Sequence, residues 1–371
     1  MADYLTYHLT VSVITPLHIG NGVELLNRYD YAIYKGQTWR INEAAFLDAQ
    51  QIDDPVKAEM LAKTPPADLL KENDYSPESP FFRYVIKGAP RSKAEGAQLR
   101  EYIKTYRDQP YLPGSSLKGA LRTALAWYAW GQQKLKPELQ RLNDRRQWAA
   151  QLYEKELFGP DPNKDLLRAL QVSDSDPVSV DNLILINVRV LNRGGSLGSP
   201  IEVEAIRANT RFDLTLKVDR QLYSDWAQSH GLHLLHARLL EHLPQVVNQH
   251  ARDRIKREYH WLKNIPAARQ AAGFYQKLSQ KDFGQERFLL QIGWGSGWGG
   301  KTFGSRLQDH PSFMEGLIKK YRLARGKRQP GDPFPQSRRL MTVASESPHG
   351  KNLETISYPL GWVLVEMSVS T

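Results

Sequence analysis

Leu5, Tyr7, Leu9, Val11 and Val13 alternate with Thr6, His8, Thr10 and Ser12. A period of two places the apolar set on one face of a strand. That strand runs into a Pro/Gly turn at 15–22, and residues 29–34 and 39–41 read as two more short strands. Residues 43–80 mix helical pattern with Pro-rich loop. Leu117, Leu121, Ala124, Leu125 and Tyr128 share one face of a helix over 116–130, and a second helix at about 144–157 stops at Gly159-Pro160. Ile184, Ile186, Val188 and Val190 alternate again; strands at 201–206 and 212–218 follow the Gly/Ser-rich stretch 192–200. Residues 225–280 are helical in pattern, carrying Trp226, Leu235, Leu239, Leu243 and Val247. A strand at 288–292, a short helix at 312–325 and a last strand at 362–369 complete the chain.

The pattern predicts an α+β protein whose second half is strand-poor and helix-rich. Strands on both sides of a long helix suggest a ferredoxin-like (RRM-like) domain with helical insertions, a fold that can turn one sheet face to RNA. At 371 residues the chain is comfortable for two domains, set here at 1–220 and 221–371.

The stretch Pro110 to Leu125 couples a Pro-Gly turn to Ser115-Ser116 and then to an amphipathic helix with Lys118 and Arg122 in its first turns. Either serine can cap the helix, glycines allow close backbone approach, and free amides at the positive end of the helix dipole suit a phosphate. Lys118 and Arg122 then converge on the same anion; the bland alternative is two solvated cations on a core helix.

Charge strengthens the anion reading. Net charge is +10, and residues 319–339 hold eight Lys/Arg against one acidic residue, Asp332, with Arg338-Arg339 set before a short apolar stretch. A polyanionic partner follows, with an inert basic surface or a solvated loop as the alternative. The chain has no cysteine, which excludes disulfides and thiolate zinc sites and fits the cytosol. No run of about 18 apolar residues is present, and the first residues lack a signal-peptide pattern.

Four segments carry a family resemblance. Pro113-Gly-Ser-Ser-Leu-Lys-Gly-x-x-Arg-Thr123 resembles the signature of the RAMP superfamily, the RNA-binding repeat proteins of CRISPR systems. Thr15 to Gly22, the Gly/Trp loop Ile292-Gly293-Trp294-Gly295-Ser296-Gly297-Trp298 with Lys301-Thr302, and Pro359 to Val363 match in the order of one branch, the fifth-subunit family of type III-A effector (Csm) complexes. The resemblance implies a degenerate second RAMP-like unit in the C-terminal half. It also implies a non-catalytic, cytoplasmic crRNA-binding subunit that caps the guide 3′ end and supports maturation and antiviral defence. Its implied partners are crRNA, target RNA, other RAMP subunits and host nucleases. Two alternatives stay open: a RAMP endoribonuclease using His18 as general base, and a subunit of a Cmr-type complex.

Gly295 to Thr302 satisfies the Walker A pattern and contains a dinucleotide-like Gly-x-Gly-x-x-Gly. Gly304 and Pro311 interrupt the helix that a P-loop needs at Lys301-Thr302, so no nucleotide cofactor is expected. The loop reads instead as a backbone cradle in which Gly293, Gly295 and Gly297 hold phosphate and Trp294 or Trp298 stacks on a base, or else both indoles pack into the core. The stretch 192–200 is a plain hairpin loop or, by the resemblance, a thumb against the guide–target duplex. His230, His233 and His236 lack carboxylates in a ligand pattern, so no metal is expected. Candidate RNA contacts are therefore His18, Ser115, Ser116, Lys118, Arg122, the Gly/Trp loop with Lys301, and Arg338 and Arg339.

Overall fold

The computed structural model describes residues 4–50, 55–324, 328–346 and 352–370. The alternating N-terminal segment forms the strand Tyr4–Val13 with Leu9, Val11 and Val13 buried. It lies in the middle of a five-stranded antiparallel sheet, between Arg211–Asp219 and Trp362–Val369. Leu170–Val172 and Arg287–Gln291 form the edges.

A second, nine-stranded sheet runs in the order Gly20–Leu26, Gln98–Tyr102, Leu197–Ile206, Leu183–Asn192, Phe82–Lys87, Gln37–Ile41, Tyr31–Tyr34. The hairpin Ser337–Glu346/Asn352–Ile356 joins it through Leu183–Asn192. Strands from both sides of residue 220 thus enter each sheet. The fold is mixed α+β with curled sheets.

The helix Gly114–Gln133 buries Leu117, Leu121, Ala124 and Leu125 as its spacing predicts. It packs against the helix Leu243–Leu262 and joins the main apolar core with Phe212, Leu216, Phe288 and Val363. Burying a Leu side chain of this kind contributes about 1.5–3 kcal/mol relative to exposure.

Several sequence expectations change. Neither Ser115 nor Ser116 caps the helix. Pro113, extended at φ −64° and ψ 129°, precedes it without a side-chain cap, and Asp174 Oδ1 accepts from the Gly114 amide at 2.8 Å. A carboxylate from a distant loop therefore meets the helix dipole. The stretch 192–200 is a hairpin, as expected, but with its turn narrowed to 193–196: Leu191 pairs with Leu197, and Arg189 with Pro200. The C-terminal half is richer in strand than its pattern suggested, because Ser337–Glu346 carries polar residues satisfied laterally: Thr342 Oγ1 donates to Glu354 Oε1 at 2.6 Å and Arg91 Nη2 donates to Thr342. Residues 225–280 break into Asp225–Ser229, Leu243–Leu262 and Arg269–Ser279, the first ending before Gly231 at φ +83°.

Among the described residues no helix is long and apolar enough to cross a membrane, and no group of three His, Cys, Asp or Glu could hold a metal ion. His230 stacks on Trp226 at 4.2 Å between ring centroids, and His236 Nε2 meets Gln133.

Candidate nucleic-acid interface

Three segments remote in sequence are laced together by backbone bonds. The Trp294 amide donates to the His18 carbonyl at 2.8 Å, Gly361 donates to Pro16 at 2.9 Å, and Ile292 donates to Gly361 at 2.8 Å. Two glycines make this approach feasible. Gly293, at φ +75°, would place a Cβ 2.5 Å from the His18 oxygen; Gly361, at φ +76°, would place one 2.1 Å from the Ile292 oxygen.

The lacing builds one wall of a cleft of about 690 Å³. His18 and Gly20 come from the first turn, Arg100 and Glu101 from the strand Gln98–Tyr102, and Trp294, Ser296 and Lys301 from the Gly/Trp loop. The opposite wall is the start of the long helix: Ser115, Ser116, Gly119 and Thr123. Ser115, Gly119 and Lys301 are exposed, and nothing lies within 4 Å of a Cβ built on Gly119. The cleft thus brings together hydroxyls, an unobstructed helix surface and an exposed ammonium.

Trp294 is half-buried against the Ile186/Val188 cluster and also lines the cleft. The Arg100 and Arg339 guanidiniums each lie 5.2 Å from its ring centroid, and the His18 ring meets it edge-on at 5.9 Å. Packing and cleft-lining therefore coexist in one indole, with two cations held beside it. Trp298 differs: it sits edge-on to Phe334 at 5.4 Å, its ring closes on Gly304, and it does not line this cleft.

His18 is 2% exposed, and its Nδ1 lies 2.6 Å from the Glu204 carbonyl. Because a carbonyl only accepts, Nδ1 carries the proton and Nε2 is a bare acceptor. Burial, reinforced by the Arg100 and Lys104 charges, lowers its pKa to about 4, so the ring is neutral at pH 7. Below it lies a buried ion cluster: Lys104 Nζ sits 2.6 Å from Glu204 Oε2 and 3.2 Å from Glu101 Oε1, and Tyr84 donates to Glu204 at 2.8 Å. Asn21 donates to Glu101 Oε2 at 2.7 Å, pinning the first turn to this cluster.

Lys118 and Arg122 do not join Ser115 and Ser116 in the cleft. Arg122 pairs with Glu154 at 3.2 Å and Asp165 at 3.4 Å, and lies over the Phe158 ring at 4.1 Å. Lys118, one turn earlier, is partly buried near Asp165, and burial lowers its pKa. The spacing of about one turn holds, but it points both cations to the neighbouring helix Gln151–Phe158 and the turn after it. Arg338 donates to Glu258 at 2.6 Å and lies over Trp261, while Arg339 is exposed beside Trp294. Of the basic segment, Arg325 and Lys327 lie outside the described residues, and Arg328 is bonded to Glu315.

The Walker-like residues adopt their own geometry. A short helix, Gly297–Lys301, starts before the Lys-Thr pair, and Thr302 Oγ1 donates back to the Trp298 carbonyl at 2.8 Å. Gly295, at φ +93°, is held against Leu360. Arg100 and Glu101 lie outside every block singled out in the sequence, whereas Gly119 and Thr123 lie in the Pro113–Thr123 block but were not among the candidate contacts. The strand carrying the first two is five residues long and too brief to show periodicity.

The RAMP superfamily model matches residues 10–302, a span that holds all four segments lining the cleft. The chain belongs to the RAMP superfamily. It is 27% identical over 206 residues to the CRISPR system Cms protein Csm5 of Streptococcus thermophilus, covering 50% of this chain and 55% of that one. It is 26% identical over 242 residues to the protein of the same name from Methanocaldococcus jannaschii, covering 60% of this chain and 54% of that one. These alignments span about half the length of the curated relatives. Among solved structures, a chain of a Csm–crRNA–target RNA ternary complex of a type III-A CRISPR-Cas system matches with a TM-score of 0.74 and 27% identity, over 97% of this chain and 100% of that chain. The crystal structure of T. onnurineus Csm5 shares the fold, with a TM-score of 0.64 and 24% identity over 95% of this chain and 99% of that one. This RAMP protein is thus Csm5-like, as the four sequence blocks implied.

Proposed function

We propose that this RAMP protein is a non-catalytic, RNA-holding subunit of a type III-A CRISPR ribonucleoprotein, seated at the guide 3′ end and supporting guide maturation. The observation that carries the reading is the convergence of the turn at 15–22, the Ser115-Ser116 start of the helix Gly114–Gln133 and the Gly/Trp loop on one cleft beside Arg100, Arg339 and Lys301. Such a surface suits a single strand: cations and hydroxyls track phosphates, and an indole offers a face to a base. The matched chain comes from a complex named for crRNA and target RNA, which supports crRNA, target RNA and neighbouring RAMP subunits as partners. Host nucleases acting in maturation and a cytoplasmic location belong to the same reading.

The purified chain is expected to bind single-stranded RNA with little sequence preference and to co-elute with a repeat-type RAMP subunit. Six phosphate contacts would give a slope of about −4 in log affinity against log salt, at about −0.7 per contact. A flat salt response would reject the electrostatic footprint. The neutral His18 at the cleft keeps the endoribonuclease reading testable: metal-free cutting at one guide site, abolished in His18→Ala, would replace the scaffold reading with the enzymatic one.

A further inference from the structure

A second cavity of about 220 Å³ adjoins the Gly/Trp loop and shares Gln291 and Ser296 with the lining of the cleft. It is lined by Arg254, Arg257, Arg338 and Arg339, with Glu258 the acidic lining residue, and is roofed by Gly295 to Gly299. Its size is below the roughly 300–1,000 Å³ typical of drug-sized ligands, so it suits a small ion or a single phosphate group.

Arg254 is the decisive residue. It projects from the middle of the helix Leu243–Leu262 and is only 6% exposed. Its Nη2 donates to two neutral oxygens, Gln291 Oε1 at 2.5 Å and the Ser296 carbonyl at 3.1 Å, and its Nε has no partner among the described residues. Among those residues no carboxylate pairs with it. Glu258, one turn along the same helix, is bonded to Arg338, and Arg257 is paired with Asp253 and Asp309. Buried charge is retained when it is compensated; the Arg254 guanidinium bonds directly only to neutral acceptors, and the nearby Glu258 carboxylate that offsets part of its charge is already bonded to Arg338. Its Nη1 lies so close beneath the loop that a Cβ on Gly299 would sit 2.5 Å from it, so the loop backbone closes directly over the charge.

We propose that this cavity is an oxyanion site that takes a phosphate group, with Arg254 as the buried counter-charge and Arg338 and Arg339 at its rim. Occupancy neutralises Arg254 and fixes the Gly/Trp loop, which also lines the cleft. The site stands on its own, whatever the cleft binds. The phosphate comes either from the free ion or from the terminus of a nucleic-acid strand.

The test uses the full chain. Thermal melting is followed against inorganic phosphate, with chloride at matched ionic strength as the reference, and against short RNA carrying or lacking a terminal phosphate at either end. A saturable rise in Tm with phosphate and not with chloride is the expected result. A response to the free ion alone identifies that source; an added affinity of tenfold or more for one phosphorylated end identifies the other. Gln291→Glu, which sets a carboxylate against Arg254 from within while giving up the Gln291 Nε2 donation to the Leu360 carbonyl, should lose the response at least tenfold in the folded protein. Arg254→Met should lose it as well. Equal effects of phosphate and chloride on the parent chain, or an undiminished phosphate response in folded Gln291→Glu, would overturn the site.

Discussion

The backbone amide of Trp294 donates to the carbonyl of His18 at 2.8 Å, across 276 positions of sequence. This bond sets the indole against the first turn and brings Arg100 and Arg339 to its ring. Trp294 is thereby a member of the fold and of the cleft at once. Trp294→Leu keeps apolar bulk for the Ile186/Val188 cluster but removes the stacking face. It should weaken single-stranded RNA binding by about 1–3 kcal/mol if one base stacks there. Trp298→Leu, whose ring packs on Phe334 and Gly304, should instead lower Tm and leave affinity per folded molecule unchanged. Titration and melting of both variants check the contrast; equal RNA affinity in parent and Trp294→Leu would reject base stacking at this ring.

His18 predicts an acid sensitivity. Its folded pKa of about 4 lies below the ordinary value of 6.5, so between those values the unfolded chain binds a proton that the native ring refuses. The stabilisation is fully present above pH 6.5 and is lost as pH falls toward 4, amounting to about 3 kcal/mol at about 1.4 kcal/mol per unit. His250, lowered by burial to about 3, acts in the same direction and extends the window downward. His18→Asn retains a donor near the Nδ1 position and removes the titration. Its stability should fall less steeply than the parent's between pH 6.5 and 4 in urea unfolding; an unchanged slope would mean that His18 is not buried neutral.

The alternation of Leu9, Val11 and Val13 and the face made by Leu117, Leu121 and Ala124 were legible because burial imposes a period on apolar positions. The four signature blocks were legible as residues with a demand on the backbone, and Gly293 and Gly361 meet it with positive φ. Strands such as Gln98–Tyr102 and Ser337–Glu346 were not, because five residues show little period and because Thr342 and Arg91 satisfy each other sideways rather than by apolar burial. Asp174 at the helix start was invisible for a related reason: a cap supplied from 60 positions away has no local pattern. The same limit applied to Arg122, whose partners Glu154 and Asp165 are brought near only by tertiary packing.

Gly361 offers a test of the lacing itself. A Cβ there would stand 2.1 Å from the Ile292 oxygen on a backbone at φ +76°. A strained non-glycine conformation costs about 1–3 kcal/mol, and the clash with a fixed carbonyl adds to it. Gly361→Ala should therefore lower Tm by several degrees and also weaken RNA binding, since Ile292 leads into the Gly/Trp loop. Gly119→Ala is the control: its Cβ meets open space at the cleft wall, so stability should hold or rise slightly. A Gly361→Ala protein melting like the parent would show that the loop can relax away from Ile292.

Arg122 and Lys301 separate two kinds of cation. Arg122 is partly exposed and tied to Glu154, Asp165 and the Phe158 ring, so it links the long helix to the helix Gln151–Phe158. Exposed ion pairs contribute about 0.2–1 kcal/mol each, and cation–π contact adds a similar amount. Arg122→Ala should lower stability by about 1 kcal/mol, with RNA affinity per folded molecule and its salt slope unchanged. Lys301 is exposed at the cleft and, among the described residues, has no such tie to lose. Lys301→Ala should leave Tm within the narrow range of surface substitutions, about 0.5 kcal/mol, while reducing the salt slope by about 0.7 through the loss of one phosphate contact. Melting and salt-dependent RNA titration on the two single variants decide the matter. A reduced slope in Arg122→Ala would mean that RNA reaches past the cleft to the Glu154 side of the helix, and an unchanged slope in Lys301→Ala would remove that ammonium from the phosphate path.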